Sequence, residues 1–106
     1  MKNFNSDILQ LLKDIEQEMK SKLLWQSLPP KAEAFLSEQP FALDMMLPNE
    51  WLQWIFIPRI RALIDANAIV PRNFVLYPYF EETLKQQEEA AKLLSLIENL
   101  DKRVKA

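Results

Sequence analysis

The sequence contains no glycine in 106 residues, and this absence limits the backbone shapes open to the chain. Gly-rich phosphate loops and tight β-hairpins both need backbone positions that only glycine adopts at little cost. The missing glycines therefore argue against those structures and favour helices. With 49% hydrophobic and 26% charged residues, the composition is that of a globular protein, and we predict one all-α domain over residues 1–106.

The most apolar stretch, residues 48–66, predicts the central helix of a bundle. It reads PNEWLQWIFIPRIRALIDA, and its large apolar residues point in nearly every direction around a helix, unlike a surface helix with one polar side. The run from Trp54 to Ile57 by itself also fits a buried strand, but a pattern that continues for about five turns favours a helix. Asn67 follows as the substitute for a glycine at the helix C-terminus.

Pro58 lies inside this pattern and predicts a kink near residues 54–58, or two helices that meet there. A proline in a helix interior lacks a backbone donor and crowds the carbonyl four residues earlier, here that of Trp54, at a cost of roughly 3 kcal/mol. Two interpretations are open. The kink is either a bend tolerated by the packing or a feature that shapes a binding groove.

Two further long helices complete the predicted bundle. The first begins with Asn5 or Ser6 as its cap and ends at Trp25. Its apolar stripe has alternating spacings of four and three residues: Ile8, Leu12, Ile15, Met19 and Leu23. The last helix is expected to run unbroken from Pro78 for roughly 25 residues.

Two strongly apolar connections join these helices. Residues 31–47 predict a short helix at 31–37 followed by an irregular segment, which either packs on the bundle or forms part of a partner site. Residues 68–80 are expected to lie against the helices. The predicted architecture is therefore three long helices plus one short helix.

The sequence has no cysteine and no histidine, which removes most enzyme mechanisms. Disulfides and thiolate sites are excluded, as are the usual general base and the commonest metal ligand. Adjacent carboxylates such as Glu81 and Glu82 point in directions about 100° apart on a helix. The pair Asp14 and Glu18 is expected on a polar face, where no apolar wall shifts its pKa. We predict no catalytic residue, no metal and no cofactor.

Hydropathy and charge predict a soluble, cytoplasmic protein. No uninterrupted apolar run approaches the roughly 18–20 residues of a membrane span, so no membrane contact is expected. The formal net charge of −2 provides no general attraction to nucleic acid or to anionic lipid.

The best site candidate combines arginines with aromatic residues. Three of the four arginines fall between residues 51 and 80, where they and Asp65 sum to a charge of +2. Arginine with aromatic residues is a composition shared by protein interfaces and RNA-stacking surfaces. Three arginines are few for phosphate-driven binding, so a protein partner is favoured. In the other interpretation the aromatic residues are core, and Arg59 and Arg61 pair with Glu50, Asp65 or a neighbouring helix.

Residues 39–82 contain a specific set of short motifs. They are Gln39-Pro40-Phe41, Asp44, Met46, Pro48, Glu50-Trp51-Leu52-Gln53-Trp54, Ile57-Pro58-Arg59, Pro71 and Tyr77-Pro78-Tyr79. With these motifs the stretch resembles the YqcC-like family, which consists of small bacterial helical-bundle proteins. The resemblance implies a helical bundle that is not recognised as an enzyme, encoded by a gene often found beside that of a tRNA pseudouridine synthase. It transfers no catalytic residue.

We therefore favour a non-catalytic interaction protein whose partner is a tRNA pseudouridine synthase. The alternative is a small-ligand binder or minor enzyme with a pocket at the Pro58 kink that uses Glu50 or Asp44. Direct RNA binding also stays open, as does a homodimer formed through Met45 and Met46 or through the last helix. The predicted partner contacts are Trp51, Gln53, Arg59, Arg72, Tyr77 and Tyr79.

Overall fold

The computed structural model describes residues 3–105, and every regular element in that range is helical. This confirms the predicted all-α fold, while residues 1, 2 and 106 of the predicted domain lie outside the described range. The elements, in chain order, are α1 (Phe4–Ser21), 3-10 helices at Ala32–Leu36 and Pro40–Ala42, α2 (Pro48–Trp51), a π-helical turn (Leu52–Phe56), α3 (Ile57–Asp65), α4 (Tyr77–Leu84), a 3-10 helix at Glu88–Ala90 and α5 (Ala91–Val104).

Helix α1 begins earlier than the sequence predicted. Its cap is Asn3, whose side-chain oxygen accepts a hydrogen bond from the Ser6 amide at 2.7 Å. The predicted cap at Asn5 or Ser6 is therefore wrong by two or three residues. The predicted apolar stripe is confirmed over four positions, all fully buried: Ile8, Leu12, Ile15 and Met19.

Helix α1 also ends earlier than predicted, at Ser21 instead of Trp25. Leu23 takes a left-handed conformation with φ 60°, and the Leu24 amide then donates to the Met19 carbonyl at 2.8 Å. This bond is part of a Schellman closure, which normally uses glycine at the left-handed position. The predicted core position Leu23 is 91% exposed as a result.

The central helix, comprising α2, the π-helical turn and α3, has the predicted limits. Asn67 follows it with φ 55°, as expected for a residue that substitutes for glycine. The Asn67 amide donates to the Ile64 carbonyl at 3.1 Å, and the Ala68 amide donates to the Leu63 carbonyl at 2.8 Å. The same type of closure therefore ends both helices.

The interruption expected at Pro58 takes the form of a π-helical turn. Within Leu52–Phe56 the helix widens, and the Ile57 amide donates to the carbonyl of Leu52, five residues earlier. Pro58 follows directly after this turn, as the second residue of α3, and has no amide to donate back into it. The wider turn thus places a change of hydrogen-bonding pattern next to the residue that cannot continue a regular α-helix.

The predicted unbroken last helix is wrong. Residues 85–90 form a turn and a 3-10 helix between α4 and α5. The amides of Leu76 and Tyr77, at the start of α4, donate to the carboxylate of Asp101 in α5 at 2.9 and 2.7 Å. The two helices therefore form an antiparallel hairpin. Five consecutive polar residues, 85–89, provide no apolar stripe that would keep this segment helical.

The main core lies between α1, the central helix and the α4–α5 hairpin. The loop at 68–80 follows its prediction only in part, because Val70 and Leu76 are buried whereas Ile69 and Val75 are exposed. The fully or almost fully buried large residues of the core include Ile8, Leu12, Ile15, Met19, Leu52, Ile57, Phe80, Leu93, Ile97, Leu100 and Val104.

Residues 31–47 pack against the central helix through a small second core. Ala34, Ala42 and Met46 are buried together, and Trp51 and Ile55 of the central helix pack against them. The Ser37 hydroxyl donates to Asp44 and links the two 3-10 helices of this segment. The predicted short helix is confirmed as the 3-10 helix Ala32–Leu36.

Candidate partner-binding surface

Trp51 and Tyr79, two predicted partner contacts, belong to one aromatic cluster. The ring of Phe41 stacks on Tyr79 at 4.1 Å and meets Trp51 edge to face at 4.8 Å. Phe80 contacts all three rings. Burial raises the pKa of Tyr79. This cluster joins residues 40–42, the central helix and α4, so much of its ring surface is used by internal packing.

Gln53 is buried, with 4% of its surface exposed, and both ends of its side-chain amide form hydrogen bonds inside the molecule. Its Nε2 donates to the Gln26 carbonyl at 2.7 Å, and its Oε1 accepts from the Gln26 amide at 2.8 Å. Asn49 adds a bond to the Leu24 carbonyl at 3.0 Å. The central helix thereby holds the connection that follows α1, and Gln53 does not present its amide to a partner.

The three clustered arginines lie in different environments. Arg59 is exposed and forms no ion pair with any residue in the range 3–105. The guanidinium of Arg72 lies 3.6 Å from the ring centre of Phe4. Arg61 pairs with Glu16 of α1 at 2.9 Å. Burial raises the pKa of Glu16, but hydrogen bonds from Lys20 and Arg61 outweigh it, so the pKa lies below its usual value.

Tyr77 lies at the start of α4, beside a groove of about 380 Å³. Its hydroxyl donates to Glu81 at 2.9 Å, and this bond raises the pKa of Tyr77, with a smaller contribution from burial. Its backbone amide donates to the Asp101 carboxylate, as described above. The groove is lined by Asn73, Phe74, Val75, Tyr77, Pro78, Glu98, Asp101, Lys102 and Lys105. Its lining combines an apolar wall with two lysines and two carboxylates, and Lys102 pairs with Glu98 at 3.9 Å.

The polar groups proposed for a pocket at Pro58 serve local structure. The Glu50 carboxylate accepts from the Leu47 amide at 2.8 Å at the start of the central helix, and Asp44 accepts from Ser37. The groove beside Tyr77 is elsewhere on the molecule. Among residues 3–105, neither Arg59 nor Arg72 forms a hydrogen bond, ion pair or ring contact with Trp51 or Tyr79.

A second depression, of about 470 Å³, lies between α1 and α5. Glu18 lines it and is buried, so its predicted position on a polar face is wrong. The ammonium groups of Lys22 and Lys92 lie 4.0 and 3.9 Å from its oxygens. One oxygen of Glu18 accepts no hydrogen bond. Residues 3–105 contain no group of three or more carboxylates placed to hold a metal ion.

Five large apolar side chains on residues 35–47 are exposed, and sequence reasoning left their position open. We call them the apolar cap: Phe35, Leu36, Leu43, Met45 and Leu47. In the sequence they lie beside or near Ala34, Ala42 and Met46, which are buried together in one small core. The sequence signal that could have indicated this exposed surface is the apolar composition of a segment that has no helical periodicity.

No helix within residues 3–105 combines the length and the apolar character that a membrane span requires.

The sequence profile of the family DUF446, described as tRNA pseudouridine synthase C, matches residues 7–103. The chain is 45% identical over 86 residues to an uncharacterized protein of Haemophilus influenzae, and the match covers 81% of each chain. The solution NMR structure of YqcC from Escherichia coli superposes with a TM-score of 0.85 at 32% identity, covering 97% of this chain and 89% of that one.

A Pectobacterium carotovorum protein named tRNA pseudouridine synthase C is also similar. It is 46% identical over 69 residues, which are 65% of this chain but 18% of that longer protein. The similarity thus concerns one segment of the Pectobacterium protein.

Proposed function

Because this chain belongs to the YqcC-like family, DUF446, we propose that it is a non-catalytic accessory protein whose partner is a tRNA pseudouridine synthase. The observation that carries the proposal is the Pectobacterium relative, in which a segment like this chain is joined to a much longer remainder. Joining two modules in one chain raises their effective concentration for each other. Such a fusion is the arrangement expected of two bodies that work together.

The use of the carboxylates supports a non-catalytic role. Five of the carboxylates hold the fold: they cap helices, pair with cations of neighbouring helices or link turns, and these contacts leave them poorly placed for acid–base work. A partner that acts on tRNA also agrees with a cytoplasmic protein. The carboxylates concerned are Asp7, Glu16, Asp44, Glu50 and Asp101.

The test is a binding measurement with a defined partner. The purified chain is mixed with the tRNA pseudouridine synthase C of the organism that encodes it, and the mixture is treated with ribonuclease and examined by light scattering and calorimetry. We expect a complex with a dissociation constant of about 10 µM or tighter. No complex at about 100 µM of each protein would overturn the partner proposal. Formation of pseudouridine by the chain alone would overturn its non-catalytic part.

Two predicted contacts remain exposed at the surface, namely Arg59 and Arg72. We propose that Arg59→Glu and Arg72→Glu each weaken the complex severalfold, as reversal of an interface charge does. Lys13→Glu is the matched control, because Lys13 is an exposed cation on α1 with no ion pair among the described residues. Equal binding by all three variants would show that Arg59 and Arg72 lie outside the interface.

A second candidate function is binding of a small ligand in the groove beside Tyr77. Its favouring observation is an apolar wall bordered by both lysines and carboxylates, namely Lys102, Lys105, Glu98 and Asp101, which suits a small, partly apolar molecule with polar groups. A thermal-shift screen of small metabolites tests this, since a specific ligand stabilises the folded state. Stabilisation that Lys102→Ala abolishes would support the groove, and a screen without any hit would contradict it.

A further inference from the structure

Exposed apolar side chains are concentrated on one segment of the protein. Among the described residues ten large hydrophobic side chains are exposed, and five of them form the apolar cap within residues 35–47. Leu36 is 79% exposed and Leu47 is 60% exposed. Single exposed leucines are normal on protein surfaces, but neighbouring ones mark interaction sites.

The cap is held in a defined shape. Phe41 and Ala42 both have positive φ, at 59° and 48°, which costs residues other than glycine about 1 kcal/mol or more each. The stacking of Phe41 on Tyr79 and the burial of Ala42 keep them there. The amides of Met45 and Met46 both donate to the Ala42 carbonyl, at 2.9 and 2.8 Å. A surface ordered before binding loses little conformational entropy when a partner covers it.

The segment that carries the apolar cap also carries exposed acidic residues, which we call its acidic rim. Residues 31–47 contain one basic residue, Lys31, and three acidic residues, Glu33, Glu38 and Asp44, so their net charge is −2. None of the ion pairs found among the described residues involves these four side chains. Their field is therefore available to an approaching molecule.

We propose that the apolar cap and its acidic rim dock a basic, partly apolar face of the pseudouridine synthase, an inference that rests on the proposed function. Proteins that bind tRNA carry basic surfaces, and an acidic rim attracts such a surface while the leucines provide the buried contact. Phosphate-rich RNA would meet repulsion here. A second copy of the chain would bring two such rims of like charge together.

The experiment compares two pairs of variants in the same binding assay. The double variant Leu36→Ala and Leu47→Ala removes apolar contact area from the cap. We expect its dissociation constant for the synthase to rise about tenfold or more. Its control is Ile69→Ala, because Ile69 is 92% exposed on a different loop. The double variant Glu33→Lys and Glu38→Lys reverses the charge of the acidic rim. We expect it to associate more slowly with the synthase at low salt, with an association rate that depends less on salt. Its control is Glu88→Lys with Glu89→Lys.

The outcomes separate the surface from the function. If the wild-type chain binds the synthase but both cap variants bind equally well, the docking surface is wrong and the proposed function stands. If the wild-type chain does not bind, both are overturned. A concentration-dependent dimer in sedimentation that the Leu36 and Leu47 variant abolishes would show a second copy on the cap and overturn the inference. Circular dichroism of each variant confirms that it is folded.

Discussion

Replacing Gln53 by Met tests whether the buried amide pair fastens the connection after α1 to the central helix. The substitution keeps most of the side-chain volume but removes both hydrogen bonds to Gln26. Each such bond contributes about 1 kcal/mol, and the backbone groups of Gln26 would be left partly without partners. Because Gln26 is half-buried and water can reach it in part, we expect a loss of about 2–3 kcal/mol.

The assay is urea unfolding followed by circular dichroism. The midpoint should fall while the slope stays unchanged, and the melting temperature should drop by roughly 10–20 °C. Gln53→Glu preserves the shape but replaces the donor by an oxygen facing the Gln26 carbonyl, so it should be at least as harmful. The control is Gln17→Met, at an exposed position of α1. A Gln53→Met protein within about 0.5 kcal/mol of wild type would refute the reasoning.

Three further changes follow from the structure. Leu23→Gly should stabilise the protein by about 1 kcal/mol, since Leu23 is left-handed and exposed; a lower urea midpoint would contradict this. Arg61→Gln should cost about 1 kcal/mol at pH 7. The lowered pKa of Glu16 adds stability only where its carboxyl is ionised. The stability lost through Arg61→Gln should therefore shrink in unfolding curves as the pH falls below 4.5. An equal loss of stability at pH 7 and at the lower pH would refute this prediction. Asp101→Ala should cost about 2 kcal/mol and speed amide exchange at the start of α4, whereas Glu98→Ala should do neither.

Local chemistry made the central helix predictable. Pro48 favours the first turn, the apolar run continues for several turns, and Asn67 tolerates the left-handed backbone that closes the helix. These preferences act within a few residues, so they can be read without knowing the fold. The same reasoning failed at Leu23, because a leucine in that conformation carries no local signal.

The error in the last helix has a different origin. Apolar residues recur on both sides of residues 85–89, and a helical period can be drawn through the gap. The break is stabilised by contacts that a period does not contain, above all the Asp101 carboxylate at the first amides of α4. A hairpin lets both helices bury their apolar faces, which one long projecting helix could not do.

In the candidate site, too, some positions follow from local sequence and others from contacts between distant residues. Gln53 reads as a surface residue because glutamine is usually exposed, but its partner Gln26 lies 27 residues away in the sequence. Residues 31–47 read equally well as packed or as partner-binding, because they have no period that assigns side chains to a face. Only the small core of Ala34, Ala42 and Met46 decides which residues turn outward.

The sequence by itself determined the helical class, the central helix with its limits, the interruption next to Pro58 and the family resemblance. These depend on residue type and short spacing, which act locally. The tertiary structure decided the α4–α5 hairpin, the inward position of Gln53 and the outward position of the apolar cap. Those features depend on contacts between distant residues, and their free energy exists only once the helices have packed.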